Sequence, residues 1–403
     1  MLVISEVLVA LLISLFVVQF LKLKWACSRL PPGPTPLPLI GTIWQMDFKR
    51  QHEILIKLAQ IYGNIFTLWI GHIPVIILNG FTAVKDSLTV HSEDVSGRPA
   101  TPFFQKMAGG KGIIFTSGHT WKQQRRFGLM TLRNLGLGKK GLEHRIQEEA
   151  RQLLEYFMNE RGDPLDPSFP IVHSVSNVIA AVVFGHRFSI EDKDFHQLIE
   201  NNNYLTKQGS SISELLYDIF SWLMDHLPGT HQKIFHCHEF LRSFARKEVR
   251  SHQERGSPDE PQDFIDFYLA QIDKAQKPQL PPCAGQCLIW WLTQTSKGTI
   301  ILPNLISALL DPEHWETPRQ FNPNHFLDQD GNFVNKEAFL AFSAGHRVCL
   351  GEQLARTELF IFFTNLLRAF TFRLPEGVKE INTESMLGGF LQPHPYKICA
   401  VPR

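Results

Sequence analysis

Five prolines fall within eight residues, Pro31, Pro32, Pro34, Pro36 and Pro38, in the stretch LPPGPTPLPLIG. Proline fixes φ and has no N–H to donate, so neither a helix nor a central strand passes through. The chain is thereby divided into a leading segment (1–24), a stiff extended connector (25–41) and a body (42–403). The connector is expected to hold the body at a set distance from the leading segment. That segment is apolar from Leu2 to Leu23 apart from Ser5, Glu6, Ser14, Gln19 and Lys22. About 20 such residues cross a bilayer, and Lys22 and Lys24 can snorkel to its surface. A cleaved signal peptide would begin with a basic region. Here Glu6 stands in that place, and the apolar run is long. An uncleaved anchor is expected. Lys22, Lys24 and Arg29 follow the span and no Lys or Arg precedes it, which orients the body to the cytosol.

The body is globular in composition, with 44% hydrophobic and 20% charged residues. A net charge of +1 gives no general reason to expect nucleic acid. Six cysteines (Cys27, Cys237, Cys283, Cys287, Cys349 and Cys399) are too sparse for a disulfide framework and suit a reducing compartment. Two β-rich runs around Gly71-His72, between Ile65 and Gly80, predict a hairpin with Pro74 at a strand edge. Helical periodicity then dominates, over Trp121–Arg133, Leu142–Phe157, Ile171–Phe184, Phe195–Lys207, Ile212–His226 and His231–Glu254. A further helix carries Leu354, Ala355, Leu359, Phe362, Phe363, Leu366 and Phe370. It is apolar on most sides and is expected to be buried. The tail GGFLQPHPYKICAVP predicts a closing hairpin. The fold class is mostly α, with a small sheet contributed by both ends.

Several motifs carry no chemistry. GLGKKG (136–141) matches a dinucleotide fingerprint but follows a helix rather than a strand, so it is a helix-to-helix turn. Cys283 and Cys287 lack a second pair at zinc spacing. His236, Cys237 and His238 point different ways on a helix and are expected to be solvated or half-buried.

FSAGHRVCLGEQLA (342–355) is different. A thiolate ligates iron strongly when its charge is stabilised and water is kept away. Gly351 leaves room for a flat cofactor beside Cys349. Free N–H groups at the start of the following helix favour a thiolate. Gly345 permits a tight turn, Arg347 can bind a cofactor carboxylate, and Phe342 can shield the sulfur.

Phe342-x-x-Gly345-x-Arg347-x-Cys349-x-Gly351-x-x-x-Ala355 resembles the haem-binding signature of the cytochromes P-450. Trp121-x-x-x-Arg125 resembles that family's propionate-binding helix, and Arg98, in GRP, a further propionate ligand. Pro318-x-x-Phe321-x-Pro323-x-His325-Phe326 resembles the meander before the haem loop. The anchor and PPGP are similar to microsomal members. RRFGLMTLRNLGLGKK, FNPNHFLD and GEQLARTELFIFF are similar to family 2, nearest its subfamily J, the fatty-acid epoxygenases. The resemblance implies haem held by Cys349, with Arg347, Trp121, Arg125, Arg98, Phe342, Gly345 and Gly351 around it. It implies monooxygenation of lipophilic substrates, such as arachidonic acid or xenobiotics, at the endoplasmic reticulum membrane. Electrons would come from NADPH through cytochrome P-450 reductase, with cytochrome b5 as a further partner. Lys122, Arg126, Arg133, Lys139 and Lys140 are candidates for the reductase-docking face. Phe103, Phe104, Ile114, Phe115, the Phe195–Ile212 segment and Phe390-Leu391 are candidates for the substrate pocket.

The pattern departs from the family between Ile272 and Lys297. The family's long oxygen-binding helix, with Ala/Gly-Gly-x-Asp/Glu-Thr-Thr, and its Glu-x-x-Arg helix are both missing there. Glu148/Arg151, Glu239/Arg242 and Glu316/Arg319 have the second spacing at unsuitable places. The chain is about 100 residues short of a full member, and 278–294 is an atypical junction. No distal acid–alcohol pair is identified.

Overall fold

The computed structural model describes residues 2–47, 50–137, 140–208, 211–256, 258, 260–275, 293–294, 299–387 and 391–403. Most of the 278–294 junction, with Cys283 and Cys287, lies outside them, as do Lys139 and Phe390. The described chain runs α1 (Leu2–Cys27), α2 (Gln51–Tyr62), β1 (Ile65–Ile70), β2 (Ile73–Leu78), α3 (Phe81–Thr89), α4 (Pro102–Ala108), α5 (Gly112–Phe115) and α6 (Gly118–Asn134). It continues with α7 (Lys140–Asn159), β3 (Pro164–Leu165), α8 (Ser168–Val183), α9 (Lys193–Gln208), α10 (Ile212–Met224), α11 (Thr230–Arg255) and α12 (Phe264–Ala275). It ends with β4 (Thr293–Gln294), β5 (Ile300–Pro303), α13 (Leu305–Leu309), α14 (Glu352–Ala369), β6 (Phe370–Arg373), β7 (Ser385–Leu387), β8 (Leu391–Pro393) and β9 (Ile398–Pro402). The expected helices form, except that the Ile212–His226 segment is kinked at Phe220 (φ −128°, ψ 46°) and ends at Met224, and Phe370 lies in β6 instead of α14; the fold is mostly helical.

Two compact units divide the chain. The first comprises Met1–Thr101, Leu215–Trp222 and Trp290–Cys349, and the second Pro102–Glu214, Leu223–Ile289 and Leu350–Arg403. In the first, β1 and β2 form the expected antiparallel hairpin, turned at Gly71 with φ +59°. β2 also pairs in parallel with β5 from Val75 onward, so its run of Ile76, Ile77 and Leu78 is inside the sheet. Pro74 precedes that ladder and withholds no bond from β5. Phe66, Leu68, Val75, Ile77 and Ile300 form one apolar cluster with Leu55 and Ala59 of α2.

The connector is more than a spacer. Thr67 donates its N–H to the Pro32 carbonyl (2.9 Å) and its hydroxyl to that of Pro31 (2.8 Å). A Cβ on Gly33 would stand 2.1 Å from the Thr67 carbonyl oxygen, so only glycine lets the strands approach. Thr42 and Trp69 exchange bonds at 2.8 Å. The prolines that cannot join a sheet thus cover the edge of β1.

In the second unit, α7 buries Leu142, Ile146, Ala150, Leu153 and Phe157, one stripe at helical spacing. Ile361 and Phe362 of α14 join this cluster. The other side of α14 does not follow the expected burial: Leu359 is 65% exposed, Phe360 69% and Phe363 64%. The tail also differs from expectation. β8 pairs with β7, while β9 pairs with β6 and β3, so among the described residues of the tail β8 and β9 form no hairpin with each other. Nor does one sheet unite the two ends. Among the described residues there are separate sheets, β1-β2-β5-β4, β3-β9-β6 and β7-β8. Cys237 and His238, expected at or near solvent, are buried, and His236 alone of the three is exposed.

Candidate haem-thiolate site

The segment leading to Cys349 is held by its own backbone. Ser343 donates to the Leu340 carbonyl (3.0 Å), Val348 to that of Gly345 (3.2 Å) and Cys349 to that of Phe342 (3.0 Å). Ser343 and Gly345 both take positive φ, +64° and +66°. A single 3-10 turn, Gly345–Arg347, folds between them and the cysteine. Leu340, at the start, is buried with Leu88, Leu78 and Leu305.

A second set of contacts fixes this loop to the chain around α3. At Gly345 a Cβ would lie 1.6 Å from the Leu88 carbonyl oxygen, so the glycine serves close approach as well as the turn. The His346 N–H donates to Ser92 Oγ at 2.7 Å, and Arg347 Nε donates to the Ser96 carbonyl at 2.7 Å. Ser96 is two residues before Arg98. The loop's arginine is therefore tied to the segment that carries the other one. Arg98 keeps part of its surface open, yet its guanidinium is enclosed enough for desolvation to lower its pKa to about 10. An enclosed cation favours an anionic partner. Cys349 is half-buried, and none of Cys27, Cys237, Cys349 and Cys399 is in a disulfide.

The first unit thus brings together Cys349, Arg347, Gly345, Phe342 and Arg98. The second unit carries the remaining expected residues. Trp121 is buried on α6, and Arg125, one turn on, sits with Cζ 5.8 Å from its ring centroid. Gly351 is the N-cap of α14, and its carbonyl accepts from Ala355 N (2.9 Å). Lys122, Arg126 and Arg133 are exposed on α6. Of the residues proposed for a substrate pocket, Phe103 and Phe104 are buried, and Phe104 packs on Phe115 with centroids 5.0 Å apart.

The stray Glu-x-x-Arg pairs remain incidental. Glu148 and Arg151 form an ion pair on α7, and Glu239 lies 3.6 Å from Arg242 on α11. Both are partly exposed contacts one helical turn apart. The meander has real local structure. Asn322 caps the 3-10 turn Pro323–Phe326 by accepting from Asn324 N. Thr317 N–H donates to His325 Nε2 at 3.3 Å.

Sequence reading missed Ser92 and Ser96, which hold the loop through one hydroxyl and one backbone carbonyl, and Leu88, whose carbonyl Gly345 closely approaches. No residue type signals such a role across a separation of about 250 positions. A thiol on a clamped loop with two linked arginines suits a flat iron cofactor bearing carboxylates.

A mostly helical fold carrying such a cysteine loop points to a class, and comparison with known proteins assigns it. The family model of cytochrome P450 matches residues 31–281 and 294–400. The chain belongs to the cytochrome P450 family, whose members are haem-iron monooxygenases. Mouse cytochrome P450 2J5 is 34% identical over 481 residues, covering 98% of this chain and 95% of the relative. Human cytochrome P450 2J2 is 34% identical over 476 residues, with 96% and 94% covered. Rat cytochrome P450 2C13 is 34% identical over 466 residues, with 93% and 95% covered. The alignment to 2J5 has 481 positions against 403 residues here, so at least 78 (481 less 403) have no residue of this chain. The family match is interrupted between 281 and 294, at the atypical junction.

Proposed function

We propose that Cys349 is the proximal haem ligand and that Arg347, Arg98, Trp121 and Arg125 bind the haem carboxylates. The clamp at Gly345, Ser92 and Ser96 is the observation that carries this reading. It fixes the thiol relative to two arginines before any cofactor arrives, which lowers the ordering cost of binding. Thiolate-ligated haem supplies dioxygen activation. The protein's share is to orient it, neutralise its carboxylates and exclude water.

The substrates are lipophilic small molecules, with fatty acids such as arachidonic acid and xenobiotics as the finer assignment. Similarity to subfamily 2J supports the former. Electrons come from NADPH through cytochrome P-450 reductase, with cytochrome b5 as a second partner. The exposed Lys122, Arg126 and Arg133 of α6 support a basic docking face. The chain is anchored at the endoplasmic reticulum by α1, whose Val9–Cys27 stretch is long and apolar enough to span a bilayer. Lys22, Lys24 and Arg29 on the C-terminal side support a cytosolic body.

A second reading, a catalytically defective membrane-anchored chain that binds haem weakly or not at all, is favoured by the missing positions. A positioned acid is needed to deliver protons during oxygenation. The sequence between Ile272 and Lys297 contains no acid–alcohol pair, and Pro278, Pro281 and Pro282 oppose a helix there. Reconstitution with reductase, NADPH and arachidonic acid separates the two readings. Oxygenated product far below that of a full-length relative, with NADPH oxidation ending in peroxide, is expected. Product formation at a relative's rate would restore the full enzyme and reject the second reading.

A further inference from the structure

A cleft of about 450 Å³ runs along α11 in the second unit, lined by Ser243, Arg246, Lys247, Arg250, Ser251 and Glu254. All six are exposed and recur at helical spacing on one side, while Phe244, Glu248 and His252 of the same turns are buried. At about 1.5 Å of rise per residue, the three cations fall within about 6 Å along the axis. The two hydroxyls flank them, and the one carboxylate stands at the C-terminal end.

What these cations can take up depends on how firmly they are already held. Arg250 has no ion pair among the described residues, and the hydroxyls of Ser243 and Ser251 have no hydrogen-bond partner there. Arg246 Nη1 lies 2.8 Å from Glu239, and Lys247 Nζ lies 2.8 Å from Asp194. All four of those side chains are more than half exposed, and exposed pairs of this kind are weak. Glu239 is also 3.6 Å from Arg242, so it keeps a cation when Arg246 turns away. A phosphate offers two arginines and a lysine more charge-assisted hydrogen bonds than two separate carboxylates do.

The rest of the lining narrows the class. Serine hydroxyls donate and accept, and an ionised carboxylate only accepts. Glu254 therefore repels a second anionic group at its end and favours the hydroxyls of a ligand. No aromatic side chain lines the cleft, so a nucleobase has nothing to stack on. We infer that this face of α11 binds a phosphorylated polyol, its phosphate held by Arg246, Lys247 and Arg250 and its hydroxyls by Ser243, Ser251 and Glu254. None of these residues belongs to the proposed haem site.

The test is isothermal titration of the full haem-loaded chain in phosphatidylcholine nanodiscs at about 0.15 M salt, with empty nanodiscs as the blank. The probes are glucose 6-phosphate, inorganic phosphate and glucose. Saturable binding is expected for glucose 6-phosphate, weaker binding for inorganic phosphate and none for glucose. Arg250→Gln should weaken glucose 6-phosphate about tenfold, the worth of one charge-assisted hydrogen bond. Glu254→Ala should cut the advantage of glucose 6-phosphate over inorganic phosphate about threefold, without weakening inorganic phosphate. Should Arg250→Gln not fold by circular dichroism, Lys247→Gln serves instead, with the same expected loss. Recruitment to vesicles carrying phosphatidylinositol 4-phosphate, lost in Arg250→Gln, assigns the polyol to a lipid headgroup. Its absence assigns a soluble ligand, and glucose 6-phosphate binding supports the site in either case. The inference is overturned by no saturable binding of glucose 6-phosphate beyond empty nanodiscs, or by binding no tighter than that of inorganic phosphate. Folded variants that bind as the parent does overturn it equally.

Discussion

Glu358 shows how a single residue registers its surroundings. It lies on α14, 6% exposed, with Oε1 buried and without a hydrogen-bond partner among the described residues. Burial pushes its pKa from 4.5 up to about 8. Between those values the folded chain keeps a proton that the unfolded chain releases. Stability from this group is therefore full below about pH 4.5 and falls as pH rises through about 8. Glu358→Gln should match the parent at pH 4 and exceed it by roughly 2–4 kcal/mol at pH 9. Urea midpoints at pH 4, 7 and 9 check this, and a constant difference across all three would contradict it. The site was unevenly legible at this scale. Cys349, Arg347 and Gly345 stand in one motif with chemistry written in their types. Arg98, Trp121 and Arg125 came only through family resemblance. Ser96 acts through its backbone carbonyl and Leu88 through the close approach of its own to Gly345, which no side chain announces.

At the scale of elements, periodicity is informative where one face is buried. The α7 stripe from Leu142 to Phe157 was readable for that reason. On α14 the same reasoning failed, because apolar residues all round predict burial on every side. Only the side bearing Ile361 and Phe362 is covered. On its other side Leu359, Phe360 and Phe363 form an exposed apolar face. Each forgoes about 1.5–3 kcal/mol of burial and invites association. Replacing Phe360 and Phe363 with Lys should reduce self-association in sedimentation runs and shift the unfolding free energy by less than about 1 kcal/mol. A loss of several kcal/mol would mean that the face is packed. The tail strands were misread for a different reason. Pairing of β9 with β3 and β6 joins residues far apart in sequence, and local turn signals carry no information about it.

At the scale of the whole molecule, α1 has the length and apolar composition to span a bilayer. Outside α1, Leu37, Leu39, Ile40 and Trp44 of the first unit are also exposed. Deleting residues 1–30 should weaken membrane binding without abolishing it. Carbonate-washed membranes test this, and a truncated chain that resists extraction as fully as the intact one would reject the anchor. The central claim, however, is that Cys349 on its clamped loop holds haem iron. The ferrous carbon-monoxide difference spectrum of the haem-loaded chain, beside that of Cys349→His, tests it most directly. The expected result is a thiolate-type red-shifted band in the parent that is lost in the variant. A parent spectrum without that band, or a variant that keeps it, would contradict the assignment.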